Sequence, residues 1–102
     1  MLIISNFTAP PGLPQDLPTK TEVIEGEPVT LVCPAVGTPT PTIVWYKDDR
    51  LVSRNEEEIT QLTDGSLEID KTKAFDAGLY RCEATNVAGS VVREVELDVH
   101  GM

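Results

Sequence analysis

Apolar and polar residues alternate over several short stretches of this chain, and the clearest stretch lies near its C-terminal end. There Tyr80, Cys82 and Ala84 are separated by polar residues. Because successive side chains of a β-strand point to opposite faces, this pattern predicts a strand with one buried side. An Asn-x-x-Gly turn follows at residues 86–89, so the next strand is expected to return as a hairpin.

The rest of the chain predicts further short strands separated by turns. They are expected within residues 29–35, 42–47, 67–69 and 91–99. Asp64-Gly65 indicates a two-residue hairpin, because both residues tolerate positive φ, and no segment shows helical periodicity beyond one turn. The crossing at residues 71–77 is expected to close the bottom of the core with Phe75. About seven or eight such strands predict an all-β fold, an antiparallel sandwich of two sheets.

Both cysteines and the tryptophan fall on the buried side of these predicted strands. The order Cys33, Trp45, Cys82, with Tyr80 two residues before the second cysteine, is typical of an immunoglobulin-type sandwich. In such a fold we expect the indole to pack against the cysteines. We also expect the Tyr80 hydroxyl to donate a hydrogen bond to the main chain near Asp76, which forms a tyrosine corner.

The two cysteines could be free thiols, zinc ligands or a disulfide. A structural zinc site needs four ligands, and the one histidine, His100, lies at the far end of the chain. Cys82 follows Cys33 by 49 residues, and a disulfide closing such a loop would stabilise a small domain by about 4 kcal/mol. The sequence therefore favours a disulfide between the sheets, formed in an oxidising compartment.

Composition and charge restrict the classes of partner. The 102 residues suffice for one domain and a short extension. With 17 acidic and 8 basic residues, the formal charge of −9 argues against nucleic acid and anionic membrane surfaces. The chain has no apolar run long enough to insert into a bilayer.

The N-terminal residues are expected to lie outside the folded domain. Four of the eight prolines fall in residues 10–18, and proline cannot donate a ladder hydrogen bond. We therefore interpret residues 1–13 as an extension and proline-rich linker and residues 14–100 as the domain, with the prolines at 10–18 leading into an interrupted edge strand. Asn6-Phe7-Thr8 matches a glycosylation acceptor pattern. The opening apolar residues are too few for a signal peptide. Either a signal peptide has been removed or the sequence is a module of a longer chain, and we expect the second because such modules usually occur in series.

Taken together, these features resemble an I-set immunoglobulin domain over about residues 14–99. The resemblance rests on Leu31-x-Cys33, Trp45, Asp64-Gly65-Ser66-Leu67 and Asp76-x-Gly78-x-Tyr80-x-Cys82. The turns are most similar to modules of hemicentin-like matrix proteins and neural cell-adhesion receptors. The resemblance implies a non-enzymatic role in adhesion or scaffolding, within a tandem array. Many relatives pair an arginine with the aspartate of this motif. Here Arg54 is the nearest earlier basic residue, so the partner of Asp76 is left open.

Other polar groups were weighed as sites and are not expected to carry chemistry. Glu56-Glu57-Glu58 lacks the spacing of a calcium loop, and Asp48-Asp49 in a turn has no nearby histidine that would favour catalysis. His100 is alone near the end of the chain. We therefore expect no catalytic residues, no metal site, no cofactor and no small-molecule substrate.

The predicted strands leave one outward surface suited to protein binding. It combines Val44 and Tyr46 with Arg81, Glu83 and Thr85. Tyrosine and arginine are enriched at interfaces and dominate their energetics. We expect an extracellular module that binds a protein, either an adhesion or matrix partner or a second copy of itself. The alternative is an intracellular, sarcomeric-type I-set spacer with reduced thiols.

Overall fold

Ten short strands form the part of the chain that the structure, a computed structural model, describes, namely residues 7–52 and 58–101. The strands are β1 (Ala9–Gly12), β2 (Lys20–Ile24), β3 (Val29–Leu31), β4 (Val36–Thr38), β5 (Thr42–Lys47), β6 (Arg50–Leu51), β7 (Ile59–Gln61), β8 (Leu67–Ile69), β9 (Gly78–Asn86) and β10 (Gly89–His100). A 3₁₀ turn, Ala74–Asp76, precedes β9. The prediction of an all-β fold is confirmed.

The strands are arranged as a sandwich. One sheet has the order β2-β10-β9-β5-β6, a second has the order β3-β8-β7, and β1 pairs with β4 in a short third ladder. All pairs are antiparallel except β2 with β10, which run parallel. The parallel pair arises because residues 13–19 carry the chain from β1 to the edge of the five-stranded sheet. The predicted immunoglobulin-like sandwich is thus confirmed, with one parallel edge.

The core lies between the two larger sheets and contains the residues predicted to face inward. Its most buried members are Leu31, Cys33, Trp45, Leu67, Ile69, Tyr80, Cys82, Val95 and Leu97. Cys33 and Cys82 form a disulfide between the sheets, as predicted. Trp45 is the register partner of Cys82 on the neighbouring strand, and its Nε1 donates a hydrogen bond of 2.7 Å to the carbonyl of Gly65. The indole thereby links the five-stranded sheet to the β7–β8 turn.

The predicted two-residue hairpin at Asp64-Gly65 is wrong, because residues 62–66 connect β7 to β8 and only Gly65 of the pair has positive φ. The two-residue hairpin turn with positive φ at both positions lies at Asp48-Asp49 instead. Asp48 and Asp49 have φ of 48° and 68°, and they connect β5 to β6. Gly65 has φ of 92°, and a Cβ atom there would lie 2.8 Å from Cγ1 of Ile43. Glycine is therefore required at position 65 both by conformation and by space.

The N-terminal segment is more structured than the sequence suggested. Residues 9–12 were interpreted as part of a linker, yet they form β1 and pair with β4, and Pro11 is buried. Proline is tolerated because β1 is paired with only one other strand. Arg93 then holds residues 13–19 against the domain, since its Nη2 donates a 2.7 Å hydrogen bond to the carbonyl of Pro18. The described domain thus begins at β1.

The expectation that Phe75 closes the bottom of the core is wrong. Its side chain is 72% exposed, because the 3₁₀ turn directs it outward. Thr72, only 1% exposed, occupies this end of the core instead. Its hydroxyl lies 2.8 Å from the carbonyl of Glu27 and 3.2 Å from that of Ile24, so it joins the 71–77 crossing to the turn after β2.

Candidate protein-binding face

The Asp76-x-Gly78-x-Tyr80 motif has a structural role. The Tyr80 hydroxyl donates a 2.6 Å hydrogen bond to the carbonyl of Asp76, the geometry predicted for a tyrosine corner. A Cβ atom at Gly78 would lie 2.8 Å from Oδ2 of Asp48, so a larger residue there would displace that carboxylate. These residues therefore shape the interior and the chain reversal.

Asp76 has a main-chain partner. Its side chain is buried at 6% exposure, and Oδ2 accepts a 2.8 Å hydrogen bond from the amide of Lys73. Lys47 lies on the other side of the same corner, where its Nζ donates to the carbonyl of Phe75 and lies 5.9 Å from the centre of the Tyr80 ring. The possible arginine partner, Arg54, lies outside the described residues.

The outward side chains of β2, β10, β9, β5 and β6 form a continuous surface, which we call the outer face. Strand register places Leu51 beside Tyr46, Tyr46 beside Arg81, and Arg81 beside Glu94. A second row runs from Val44 through Glu83 to Val92. Cross-strand neighbours of this kind are close enough for their side chains to interact. The outer face therefore brings together the residues predicted for it, including Thr85 opposite Thr42.

Tyr46 and Arg81 contact each other on the outer face. The guanidinium of Arg81 lies over the Tyr46 ring at 4.5 Å from its centre, a cation–π arrangement. Nη1 of Arg81 also donates a 2.7 Å hydrogen bond to Oδ1 of Asp49. Only 28% of the Arg81 side chain is exposed, against 87% for Asp49. The turn after β5 thus orients the arginine on the aromatic ring.

Exposed apolar side chains surround this contact. Leu51 is 66% exposed, Val92 is 53% exposed and Leu79 is 44% exposed. The predicted binding surface did not include these three residues, although alternation along β9 already placed Leu79 on the same side as Arg81. It also missed Asp49, although the Asp-Asp turn itself was predicted.

The remainder of the outer face is acidic. Its acidic members are Glu22, Asp49, Glu83, Glu94, Glu96 and Asp98, against the basic Lys20 and Arg81. Nζ of Lys20 lies 3.4 Å from Asp98 and 3.7 Å from Glu22. A hydrogen bond and the charge of Asp98, followed by the charges of Glu22 and Glu96, raise the pKa of Lys20. The raised pKa reflects the negative potential at this edge.

One group of side chains on the outer face has the composition of a metal site. Glu22, Asp98 and His100 offer ligand atoms within 4.8 Å of one another, with His100 Nε2 3.4 Å from Glu22 and 3.9 Å from Asp98. Lys20 is paired with both carboxylates, so an ion binding there would compete with its ammonium group. The group is exposed at a sheet edge, unlike the closed ligand sets that hold structural zinc.

Several predicted features lie outside the described residues or away from the outer face. Asn6, the glycosylation candidate, and Glu56 and Glu57 of the acidic run lie outside the described residues. Glu58, the last residue of that run, forms an ion pair with Lys73. The hydrogen bond that Lys73 donates to the Glu58 carboxylate raises the pKa of Lys73. Among residues 7–52 and 58–101, there is no helix of the length and apolar character needed to span a membrane.

Comparisons with known proteins agree with this architecture. The family model described as "Immunoglobulin domain" matches residues 14–86. Human hemicentin-1 is 44% identical over 89 residues, which cover 87% of this chain and 2% of that protein. Titin of Drosophila melanogaster is 43% identical over 79 residues, or 76% of this chain and a share of titin that rounds to 0%.

Solved structures give the same result. The structure of Sidekick-1 immunoglobulin domains 1–4 superimposes with a TM-score of 0.84 at 31% identity, covering 90% of this chain and 24% of that one. This chain thus spans a small part of the relatives it matches. The family model covers the disulfide, the core tryptophan and the tyrosine corner within its 73 residues (14–86). The chain belongs to the immunoglobulin domain family.

Proposed function

We propose that this chain is a non-enzymatic, protein-binding module of an extracellular adhesion or matrix protein, one of several in a tandem array. The proposal places the binding surface on the outer face, with Tyr46 and Arg81 at its centre and Val44, Glu83 and Thr85 around them. Its similarity to single segments of much longer proteins supports the tandem arrangement. The partner is a protein, either an adhesion or matrix protein or a second copy of this module.

The Tyr46–Arg81–Asp49 contact is the observation that carries this proposal. A cation–π distance of 4.5 Å and an ion pair of 2.7 Å hold two interface-prone side chains in one conformation before any partner arrives. Less conformational entropy is then lost on binding, and affinity gains accordingly. The exposed Leu51 and Val92 supply apolar area on either side. An aromatic and an arginine ringed by apolar groups are typical of the residues that dominate interface energetics.

The disulfide supports an extracellular location. Cys33 and Cys82 are bonded across the core, and such bonds persist in oxidising compartments. The alternative, an intracellular spacer, is supported by the similarity to titin. Thiol titration of unreduced, denatured protein from its natural source separates the two. Two titratable thiols per chain would favour the spacer, whereas none would favour the extracellular module.

Binding can be tested with the module displayed on fluorescent beads and offered to an array of purified ectodomains that includes the module itself. For any interaction found, Tyr46→Ala and Arg81→Glu should each raise the dissociation constant at least tenfold. Lys71→Glu is a matched control for the arginine, because it makes the same change in charge at an exposed position after β8. Unchanged affinity in the Tyr46→Ala, Arg81→Glu double variant would exclude the outer face as the binding surface.

A further inference from the structure

The acidic side chains of the outer face differ in how far their charge is already neutralised. Asp49 is paired with Arg81, while Glu22 and Asp98 are paired with Lys20. Glu83, Glu94 and Glu96 have no basic group within 4.0 Å anywhere in residues 7–52 and 58–101. Arg81, the strand partner of Glu94, is turned toward Asp49 instead. Three carboxylates near the Tyr46–Arg81 contact are therefore left without an ion pair, although the charge of Glu96 still acts on Lys20, its neighbour on β2.

These three carboxylates lie close to the apolar residues of the same face. Glu83 stands between Val44 and Val92 in one row, and Glu96 is the register partner of Leu79 in another. Glu94 and Glu96 are exposed on β10, two residues apart and on the same side of the strand. A partner that covers the apolar residues must therefore also lie against the carboxylates. Burying an ionised carboxylate without a counter-charge is costly.

We propose that the partner of the outer face is a different protein that presents lysine or arginine side chains next to apolar ones. This inference rests on the proposed function, because it specifies the chemistry of the partner for the same face. The basic groups pair with Glu83, Glu94 and Glu96, while the apolar groups cover Leu79 and Val92. Such complementarity speeds association and excludes wrong partners.

A second copy of this module does not meet that requirement. A two-fold symmetric contact places the same patch of both subunits together, and the acidic side chains of the outer face outnumber its basic ones by six to two. Like charges in such a contact repel each other. The formal charge of the whole chain, −9, adds a repulsion of the same sign at longer range.

The test uses a short synthetic peptide of alternating lysine and serine that contains two leucines, with a glutamate-for-lysine version as its counterpart. Binding is measured by fluorescence anisotropy at low and at moderate salt. The wild-type module should bind the lysine peptide and not the glutamate peptide. Glu94→Lys with Glu96→Lys should raise the dissociation constant at least tenfold. Glu68→Lys with Asp70→Lys makes the same change in charge on the opposite sheet, and it should change the constant less than about threefold.

Amide chemical shifts of the unmodified module provide a measurement that does not depend on variants folding. Addition of the lysine peptide should shift resonances of β2, β9 and β10 and leave those of β3 and β8 in place. The inference would be overturned if both charge-reversed double variants lost affinity equally, or if the chemical-shift changes spread over both sheets. In either case the attraction would be non-specific. A wild-type dimer in sedimentation with shifts at Glu94 and Glu96 would also overturn the inference, in favour of a second copy.

The outcomes separate this inference from the proposed function. If the ectodomain array yields a partner whose affinity falls with Tyr46→Ala but not with the reversal of Glu94 and Glu96, the binding face stands and the basic partner is wrong. If neither change affects the affinity, both proposals fail.

Discussion

Strands β5 and β9 each have an inner and an outer row of side chains, and the two rows differ in almost every physical respect. The inner row, Trp45, Tyr80, Cys82 and Ala84, is at most 2% exposed. It is held by a disulfide and by side-chain hydrogen bonds to carbonyls. The outer row, which includes Tyr46 and Arg81, is partly exposed and is held by a ring contact and an exposed ion pair.

The difference shows how one pair of strands can separate stability from recognition. A buried group that loses its hydrogen-bond partner costs free energy, because no water replaces the partner. An exposed charge that loses its partner is resolvated, so an exposed ion pair contributes little to folding. Changes in the inner row should therefore lower stability, whereas changes in the outer row should alter binding. Four sets of substitutions test this separation, and they are ordered by how much each should lower stability.

Replacing both cysteines, Cys33→Ala with Cys82→Ala, should have the largest effect. The bond closes a loop of 49 residues, so its loss should lower the free energy of unfolding by about 4 kcal/mol in the chain-entropy model. Urea denaturation followed by Trp45 fluorescence measures the change, with reduced wild-type protein as the reference. A double variant within about 1 kcal/mol of the oxidised wild type would contradict an inner row that dominates stability.

Asn86→Ala should come next, because this side chain at the inner end of β9 makes three hydrogen bonds. Its Nδ2 donates to the carbonyls of Ala9 at 2.8 Å and Pro39 at 3.0 Å, and its Oδ1 accepts from the amide of Ala88 at 2.8 Å. The loss of these three hydrogen bonds should lower the free energy of unfolding by about 2–3 kcal/mol. Asn86→Asp is the matched control, because it keeps the acceptor for Ala88 and removes only the donor to the carbonyls of Ala9 and Pro39.

The Asn86 variants also test whether β1 belongs to the folded domain. Hydrogen exchange of the β4 amides should become faster in both variants, because Asn86 fastens β1 beside β4. Unchanged exchange would show that β1 contributes nothing to that protection.

Tyr80→Phe should lower the free energy of unfolding by about 1–2 kcal/mol, since it removes one buried hydrogen bond and keeps the ring. The denaturation midpoint measures this change. Tyr46→Phe removes the same hydroxyl from the outer row and should leave the midpoint nearly unchanged. Equal midpoints for wild type and Tyr80→Phe would remove the energetic role of the tyrosine corner.

Arg81→Gln should have the smallest effect on folding, less than about 1 kcal/mol, because its partner Asp49 is 87% exposed. The same substitution should weaken partner binding clearly, since the guanidinium no longer covers Tyr46. Thermal unfolding at low and high salt measures the first effect. A loss comparable to that of Tyr80→Phe would show that the outer row also supports the fold.

The inner row could be predicted from the sequence, and the outer row only in part. Few folds place two cysteines, a tryptophan and a tyrosine in the order and spacing of Cys33, Trp45, Tyr80 and Cys82. The sequence pattern alone therefore predicts that these residues are buried and that the cysteines form a disulfide. Val44, Tyr46 and Arg81 were placed on one face by alternation. The pairing of Asp49 with Arg81 could not be predicted in this way. Asp49 lies in a turn in which two aspartates have positive φ, and strand alternation does not describe the direction of a turn side chain.

Tertiary contacts override local preference in two places. The prolines at residues 10–18 predict a linker that leads into an interrupted edge strand, and β1 pairs with one strand only, while Asn86 fastens it to the domain. Phe75 was expected in the core by its hydrophobicity alone. The 3₁₀ turn directs it outward, and the Thr72 side chain is buried at that position instead, with its hydroxyl 2.8 Å from the carbonyl of Glu27.

The class of fold, the disulfide and the buried residues follow from period-two alternation and from the order of Cys33, Trp45 and Cys82, which are properties of the chain alone. Which charges are paired and which are left over does not follow from those properties. Glu94 stands opposite Arg81 in register, yet the arginine bonds to Asp49. Charge pairing depends on distances between side chains that are remote in sequence, and these distances exist only once the strands are assembled.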